Sequence, residues 1–347
     1  MTKIGFYIMW DKNSLSKEKG NVIGDELLSE SLCKYLRRID GVESAELYAP
    51  NYLPNEELDI IIYMQPIEPT IIKAKKKILY VQNGFDNVKD YIDLINKYKY
   101  DGHILFSKKL LDLYKESGGS GLFLPFGVDI ETFYPREKDE KFSFDTSYVG
   151  TDIKGKYRTT EFLLPATKFN MGLFGNWPIQ SCDKKTLFKY LLRFNFSRFI
   201  KALKEYKKEK KSFPYRFILN KISKGKISQE DVPVLYSSTK VNINFTIQSC
   251  VDYDTITLRL FEILACRGFC ISDKTDIAQK ILKDFVVFTD GGKDLEEKIK
   301  YYLEHKEERE KIAQKGYDYV IKNCSIEKRA NELWNYLKEV LNENIVS

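Results

Sequence analysis

Histidine is almost missing from this chain: two occur in 347 residues, His103 and His305. His103 stands inside an apolar, strand-like stretch and His305 in a charged helical one, so a Ser–His or Cys–His hydrolase is poorly supported. Metal-ligand spacing is missing as well. The six cysteines (Cys33, Cys182, Cys250, Cys266, Cys270, Cys324) are scattered, with no Cys-x-x-Cys or Cys/His cluster. That argues against structural zinc and for reduced, mostly buried thiols in a cytosolic setting. No apolar run approaches the roughly 18 residues that a membrane helix needs. The opening residues Met1–Phe6 read as a strand and not a signal peptide, which predicts a cytoplasmic protein. Net charge is only +6, which permits anionic ligands or lipid headgroups. No nucleic-acid recognition module is legible, and no nucleic acid is expected. Internal repeats and low-complexity tails are absent.

What is present is material for two cores. Hydrophobic residues make up 43% and charged residues 31%, an ordinary globular balance, and the length suggests two domains. In the first half Lys3–Trp10, Ala45–Tyr48, Leu58–Met64, Lys77–Val81, Gly102–Phe106 and Leu122–Leu124 read as strands. Helical stretches separate several of them: one from about Gly24 to Ile39, then Val88–Lys97 and Lys108–Glu116. In the second half Ser143–Val149, Phe169–Phe174, Lys240–Phe245, Phe269–Ile271 and Phe285–Phe288 read as strands, followed by long amphipathic helices over Lys306–Asn323 and Ile326–Leu341. This alternation predicts an α/β chain with doubly wound parallel sheets. Gly20 and Gly24 lie in the first strand–loop–helix connection, where such sheets meet ligands, and Gln82-Asn83-Gly84 lies at a strand's carboxyl end. Pro125-Phe-Gly-Val-Asp129…Pro135 reads as a stiff turn and hinge, with the charged Arg136–Lys141 as linker.

The chain is organised around Asp254-Thr-Ile-Thr-Leu-Arg-Leu-Phe-Glu-Ile-Leu-Ala-Cys-Arg-Gly-Phe-Cys-Ile-Ser-Asp273. Thr255 or Thr257 can N-cap a helix, Leu258, Phe261, Leu264 and Ala265 form its apolar stripe, and Gly268 ends it. Arg259 and Glu262 share a different face. A helix start with spare N–H groups and a nearby arginine suits an anion such as a diphosphate, and a carboxylate one turn on suits sugar hydroxyls. The plain alternative is a packed helix with a surface Arg–Glu pair. Basic residues at the next helix start after Gly150, Lys156 and Arg158, can neutralise a diphosphate without a metal, or are ordinary surface charge. From Arg198 to Lys226 eleven lysines and arginines face two glutamates, with Phe199, Tyr206, Phe213, Tyr215 and Phe217 interleaved. That basic face is either solvated or binds an acidic glycan or an anionic membrane surface.

Thr257-x-Arg259-x-Phe261-Glu262-x-x-Ala265-Cys266 followed by Gly268-Phe269 resembles the donor-site helix of GT-B glycosyltransferases, most nearly the spore-maturation (CgeB-like) group. Arg267 is a departure, standing where that group runs Ala-Cys-Gly directly. Supporting strings are Pro125–Pro135, Tyr148-Val-Gly-Thr151, Gly175-Asn-Trp177 and Tyr317–Ser325. The resemblance implies two Rossmann-like domains facing a cleft: residues 1–135 on the acceptor side, a linker over 136–142, and a nucleotide-sugar domain over 143–325. The nucleotide-sugar domain carries a basic helical insertion at about 184–226, and the C-terminal helix over 326–347 crosses back onto the first domain. It implies that Glu262 holds the ribose of a nucleotide-sugar and that Thr257 and Arg259 lie by its phosphates. Asn244, Thr255, Asp254, Gly150, Lys156, Arg158, Gly175 and Gly24 are further donor-side candidates, and Gly20, Gln82 and Asn83 are acceptor-side ones. Asp11 is the candidate base if the reaction inverts.

Asp252-x-Asp254 matches a metal-binding pattern of a different fold. Before a GT-B donor helix it is expected to serve the sugar or the loop, with no metal. The activity implied is a metal-independent glycosyltransferase, hexosyltransferase in type, serving polysaccharide biosynthesis, with a glycan, lipid-linked or protein acceptor. It would be cytoplasmic, with peripheral attachment to the inner face of the membrane left open by the basic insertion. A second reading is a catalytically inert GT-B-like binding or structural protein of a cell-surface or spore layer.

Overall fold

The computed structural model describes residues 1–13, 24–82, 88–181 and 184–342. The first domain is a six-stranded sheet of order β2-β1-β3-β4-β5-β6. Its strands are β1 (Thr2–Tyr7), β2 (Val42–Tyr48), β3 (Leu58–Tyr63), β4 (Ala74–Val81), β5 (Gly102–Leu105) and β6 (Leu122–Phe123). Every pairing is parallel. Parallel strands need covered faces and crossovers. Helices α1 (Gly24–Leu36), α2 (Val88–Lys97) and α3 (Lys108–Glu116) supply three of these. Ser107 starts α3 by accepting a bond from the Leu110 N–H at 3.0 Å. The apolar run after β1 outlasts the strand: Met9 and Trp10 were expected inside it, yet both are exposed beyond its last pair.

The second domain is a five-stranded parallel sheet of order β11-β10-β9-β7-β8. It comprises β7 (Thr146–Val149), β8 (Met171–Phe174), β9 (Val241–Asn244), β10 (Cys270–Ser272) and β11 (Val287–Phe288). Around it lie α4 (Lys156–Phe162), α8 (Asp231–Ser238), α9 (Gln248–Asp252), α10 (Leu258–Ala265), α11 (Asp276–Leu282), α12 (Gly292–Glu304) and α13 (Lys306–Asn323). The basic stretch forms three helices between β8 and α8: α5 (Lys184–Leu192), α6 (Phe196–Ser212) and α7 (Pro214–Ile222). The expected pair of doubly wound parallel sheets is therefore present.

The chain passes between the domains twice, and the two passages are bonded to each other. Val128 N–H donates to Cys324 at 2.8 Å, and Ile326 N–H donates to Val128 at 2.9 Å. The last helix, α14 (Ile326–Asn342), then crosses back onto the first domain. Its Ile326, Ala330, Leu333, Trp334, Leu337 and Val340 join the same core as Ile4, Phe6, Ile78 and Tyr80. A second tie runs the other way. Tyr253, from the loop after α9, is buried among Tyr7, Leu105, Phe106 and Tyr114 of the first domain. Its carbonyl accepts the Ser107 hydroxyl at 2.6 Å.

His103 is buried in the first domain, edge-on to Tyr100 and Tyr114, with Nδ1 3.3 Å from the Tyr114 hydroxyl. Burial lowers its pKa to about 4, so it stays neutral. His305 is exposed and stacks on Tyr301.

If α14 is part of the first domain's core, Leu333→Ala, at a site with 0% exposure, lowers unfolding stability by about 3 kcal/mol in urea titrations. A loss below about 1 kcal/mol would mean that the helix rests on the domain without completing it.

Candidate active site

A cleft of about 540 Å³ opens between α1 of the first domain and α10 of the second. Its walls include Leu27, Lys34, Gly127, Asp129, Arg259 and Glu262. This volume is ordinary for a small-molecule site.

Helix α10 is built to present Arg259 and Glu262. Leu260, Phe261, Ile263, Leu264 and Ala265 are buried behind it, which leaves the opposite face to the cleft. Thr257 is the N-cap residue, with extended φ −74° and ψ 146°, but its side chain makes no capping bond. The hydroxyl donates instead to Asn244 Oδ1 at 3.2 Å, and the Asn244 amide donates to Ser272 at 2.9 Å. Leu260 N–H bonds the Thr257 carbonyl at 3.1 Å, and the Leu258 and Arg259 N–H groups of the first turn are left to other partners. The helix ends in a Schellman turn, with Gly268 N–H bonding Ile263 and Arg267 N–H bonding Leu264. Arg267 itself takes the left-handed position, φ 55°, where glycine was expected. Gly268 is required for a different reason: a Cβ there would crowd the Tyr236 carbonyl at 2.9 Å and the Asn242 amide at 2.8 Å.

The electrostatics of the cleft are lopsided. Burial pushes the Glu262 carboxyl up from 4.5 to about 7, against the pull of Arg259. The Arg259 guanidinium lies 5.2 Å over the Tyr148 ring. Lys154 was missed by the sequence reading. It stands in the Gly150–Gly155 loop after β7, and burial together with the charges of Arg259 and Arg158 lowers it from 10.5 to about 8. Among the described residues neither Lys154 nor Arg259 has a carboxylate at ion-pair distance; the pair nearest to them, Arg158–Asp273, is closed on itself. Lys154 is not among the described residues lining the cleft, but its charge and that of Arg259 act on each other, and cations near a helix start favour an anion.

Several candidates are engaged elsewhere. Arg158 is buried, and its guanidinium is bonded to Asp273 and, at 3.1 Å, to the Thr246 carbonyl. Burial of a guanidinium demands such a carboxylate, so Arg158 braces the site from beneath instead of facing a ligand. Asp254 has a left-handed φ of 52° and accepts the Ile277 N–H at 2.8 Å, at the head of α11. Thr255 is buried and donates to Cys250 at 3.0 Å. Both belong to the loop that shapes the helix start. Asp252 accepts from Gln248 at 2.9 Å, so the two carboxylates of the Asp-x-Asp string serve separate partners.

Gly150 and Gly175 pack against each other at the ends of β7 and β8; Gly175 has φ +117°, and a Cβ on it would collide with the Gly150 carbonyl. Gly24 opens α1 and lines the cleft. Lys156 is exposed at the start of α4, 5.8 Å over the Phe213 ring and off the cleft lining. Gln82 is buried just after β4, with its amide 3.4 Å from the Met64 carbonyl. Asp11 is exposed after β1 and is not among the described residues lining the cleft. Gly20 and Asn83 lie outside the described residues.

The hinge string contributes a second missed residue. Asp129 is buried and receives Tyr35 at 2.8 Å, Lys34 at 3.0 Å and Thr132 at 2.9 Å. Burial raises its pKa, but these bonds prevail and hold it below the usual carboxylate range. It fixes α1 to the interdomain passage on the cleft's far wall.

Set beside known structures, this architecture is that of the GT-B fold. Sucrose-phosphate synthase from Thermosynechococcus elongatus superposes with a TM-score of 0.66 at 11% identity, over 99% of this chain and 100% of that one. HepE of Anabaena, solved in complex with UDP-glucose, gives 0.64 at 12% identity over 98% and 100%. The T4 phage BGT with its UDP-glucose substrate gives 0.57 at 14% over 98% and 99%. Residues 165–335, most of the second domain and part of α14, match the glycosyl transferase-like family pattern. No curated protein matches by sequence.

Two pH effects follow. Glu262 has a folded pKa above its unfolded value, so between 4.5 and about 7 the unfolded chain holds fewer protons and stability falls as pH rises. In Glu262→Gln that part of the slope disappears from the pH dependence of unfolding. Lys154 has a folded pKa below its unfolded one. An anion bound beside it restores the ammonium form, so anion binding there above pH 8 takes up a proton. Calorimetry in buffers of different ionisation enthalpy measures that uptake, and Lys154→Met abolishes it.

Proposed function

We propose that this protein is a glycosyltransferase that draws its sugar from a nucleotide-sugar held in the interdomain cleft. The observation that carries the reading is the cleft that brings Arg259 and Glu262 together on the open face of α10, with Lys154 near enough for the Arg259 charge to lower its pKa. The two cations and the first turn of α10 would receive the diphosphate, and Glu262 would accept hydroxyl hydrogen bonds from the ribose. As the glycosidic bond breaks, negative charge grows on the leaving diphosphate. Cations already in position stabilise it with little reorganisation. Closure of the cleft would exclude water and favour transfer over hydrolysis. The bonds made by Asp252 and Asp254 support a reaction that needs no metal. For an inverting reaction Asp11 is the candidate base.

We extend the proposal to a hexosyltransferase of the CgeB-like group, on the strength of the Thr257–Phe269 string. It would act in the cytoplasm in polysaccharide assembly, on a glycan, lipid-linked or protein acceptor. One observation favours an inert relative instead: among the described residues no histidine lines the cleft. The two readings part on turnover, since an inert relative would bind donor and never cleave it.

Thermal shift against UDP, GDP, dTDP and CMP sugars selects the donor, and hydrolysis of that donor then tests turnover. Glu262→Ala weakens donor binding about tenfold or more. Lys154→Met and Arg259→Met each lower kcat roughly hundredfold. Unchanged donor affinity in Glu262→Ala would overturn the assignment of the site.

A further inference from the structure

The insertion between β8 and α8 contains a helical hairpin whose tip is left exposed by the described residues. Helices α5 and α6 are joined through Arg193, Phe194 and Asn195. The turn is a Schellman motif: Asn195 N–H bonds the Tyr190 carbonyl at 3.0 Å and Phe194 N–H bonds Leu191 at 3.0 Å. Phe194 occupies the left-handed position, φ 52°, which residues with a Cβ avoid and glycine usually takes. It is 79% exposed, and its ring contact is an edge-on one with Phe196 at 6.2 Å. An aromatic ring held in a disfavoured backbone conformation, with little packing inside the molecule, implies a partner outside it.

The tip around it is apolar. Phe188 is 59% exposed, Leu192 62% and Phe196 55%, and Leu191 and Ile200 are also exposed. The interleaved aromatics singled out in the sequence are not this surface. Tyr215 is buried, and Tyr206 and Phe217 pack edge-on against each other at 5.1 Å. Arg193 in the turn, and Lys189, Arg198, Lys201 and Lys204 on the two helices leading from it, are exposed. Between Thr186 and Lys226 there are thirteen lysines and arginines against Glu205 and Glu209. Glu209 is buried and turned inward, accepting the Gln180 and Ser181 N–H groups. Among the described residues, the insertion's ion pairs are those of Arg216 with Asp152 at 2.6 Å and Glu209 at 3.4 Å. The outer belt of charge is left uncompensated.

We infer that the α5–α6 tip docks on an anionic lipid bilayer, its phenyl and leucyl side chains entering the interface while the basic belt meets the headgroups. A convex apolar cap above a ring of cations has the form of an interfacial anchor. Self-association through this face would bring two belts of like charge together. An acidic glycan would use the belt and leave the cap in water. The hairpin's base is tied to the cleft, because Asp152, the partner of Arg216, stands in the same Gly150–Gly155 loop as Lys154. The inference goes beyond the donor reading and does not depend on it, since a vesicle can be bound with no nucleotide-sugar present.

Flotation with phosphatidylcholine vesicles, with and without phosphatidylglycerol, tests it. The intact chain floats with the anionic vesicles alone and is released by salt. A Leu192→Ser, Phe194→Ser, Phe196→Ser variant loses about tenfold or more in apparent affinity. Its melting temperature stays the same, because those side chains are already exposed. Arg193→Gln with Arg198→Gln and Lys201→Gln flattens the salt dependence. Failure of the intact chain to float, equal binding to neutral vesicles, or unaltered flotation of the serine variant would each overturn the inference. So would concentration-dependent self-association that the serine variant removes.

Discussion

The buried ion pair of Arg158 and Asp273 is the contact on which the cleft rests. It joins α4 to the end of β10, and through the Thr246 carbonyl and N–H it holds the end of β9 as well. A buried guanidinium without its carboxylate is costly, and breaking such a pair typically forfeits about 3–5 kcal/mol. The pair is neutral as a unit. Among the described residues Lys154 and Arg259 have no carboxylate at ion-pair distance, although Glu262 and Arg259 attract each other. Charge is thus cancelled in the Arg158–Asp273 pair, while Arg259 faces the cleft without a closed ion pair.

The opposite wall is organised differently. Asp129 gathers Tyr35, Lys34 and Thr132 at the interdomain passage, where Val128 exchanges bonds with Cys324 and Ile326. A carboxylate with that many donors stays ionised and rigid. One wall therefore carries saturated polar contacts and the other carries groups in want of partners. That asymmetry is what a site needs if one domain is to frame a ligand and the other to grip it.

The sequence revealed local order well and long-range partnership poorly. Val88–Lys97 and Lys108–Glu116 emerge with the expected bounds, because helical periodicity and the Ser107 cap are local signals. The parallel sheets were legible from alternation alone. Trp10 was misplaced inside β1 because an apolar run does not say whether the sheet continues beside it. In the sequence Arg158 reads as a diphosphate contact or as surface charge, because its carboxylate partner lies 115 positions away. Lys154 was overlooked because nothing near it in the chain is unusual. Its lowered pKa comes first from burial and then from the charge of Arg259, which only the fold brings close. Arg267 departs from the expected glycine because the turn places it, and not Gly268, in the left-handed position.

Tyr253 gives the two domains a shared lever. Its ring is rooted in the first domain's core, and Thr257, the residue before α10, follows four positions later. Any swing of the first domain is therefore handed to the head of α10 along a tether of three intervening residues, Asp254, Thr255 and Ile256. Opening the molecule draws on the same strand of backbone that positions the amides and Arg259. Grip and gape are in that sense two readings of one coordinate.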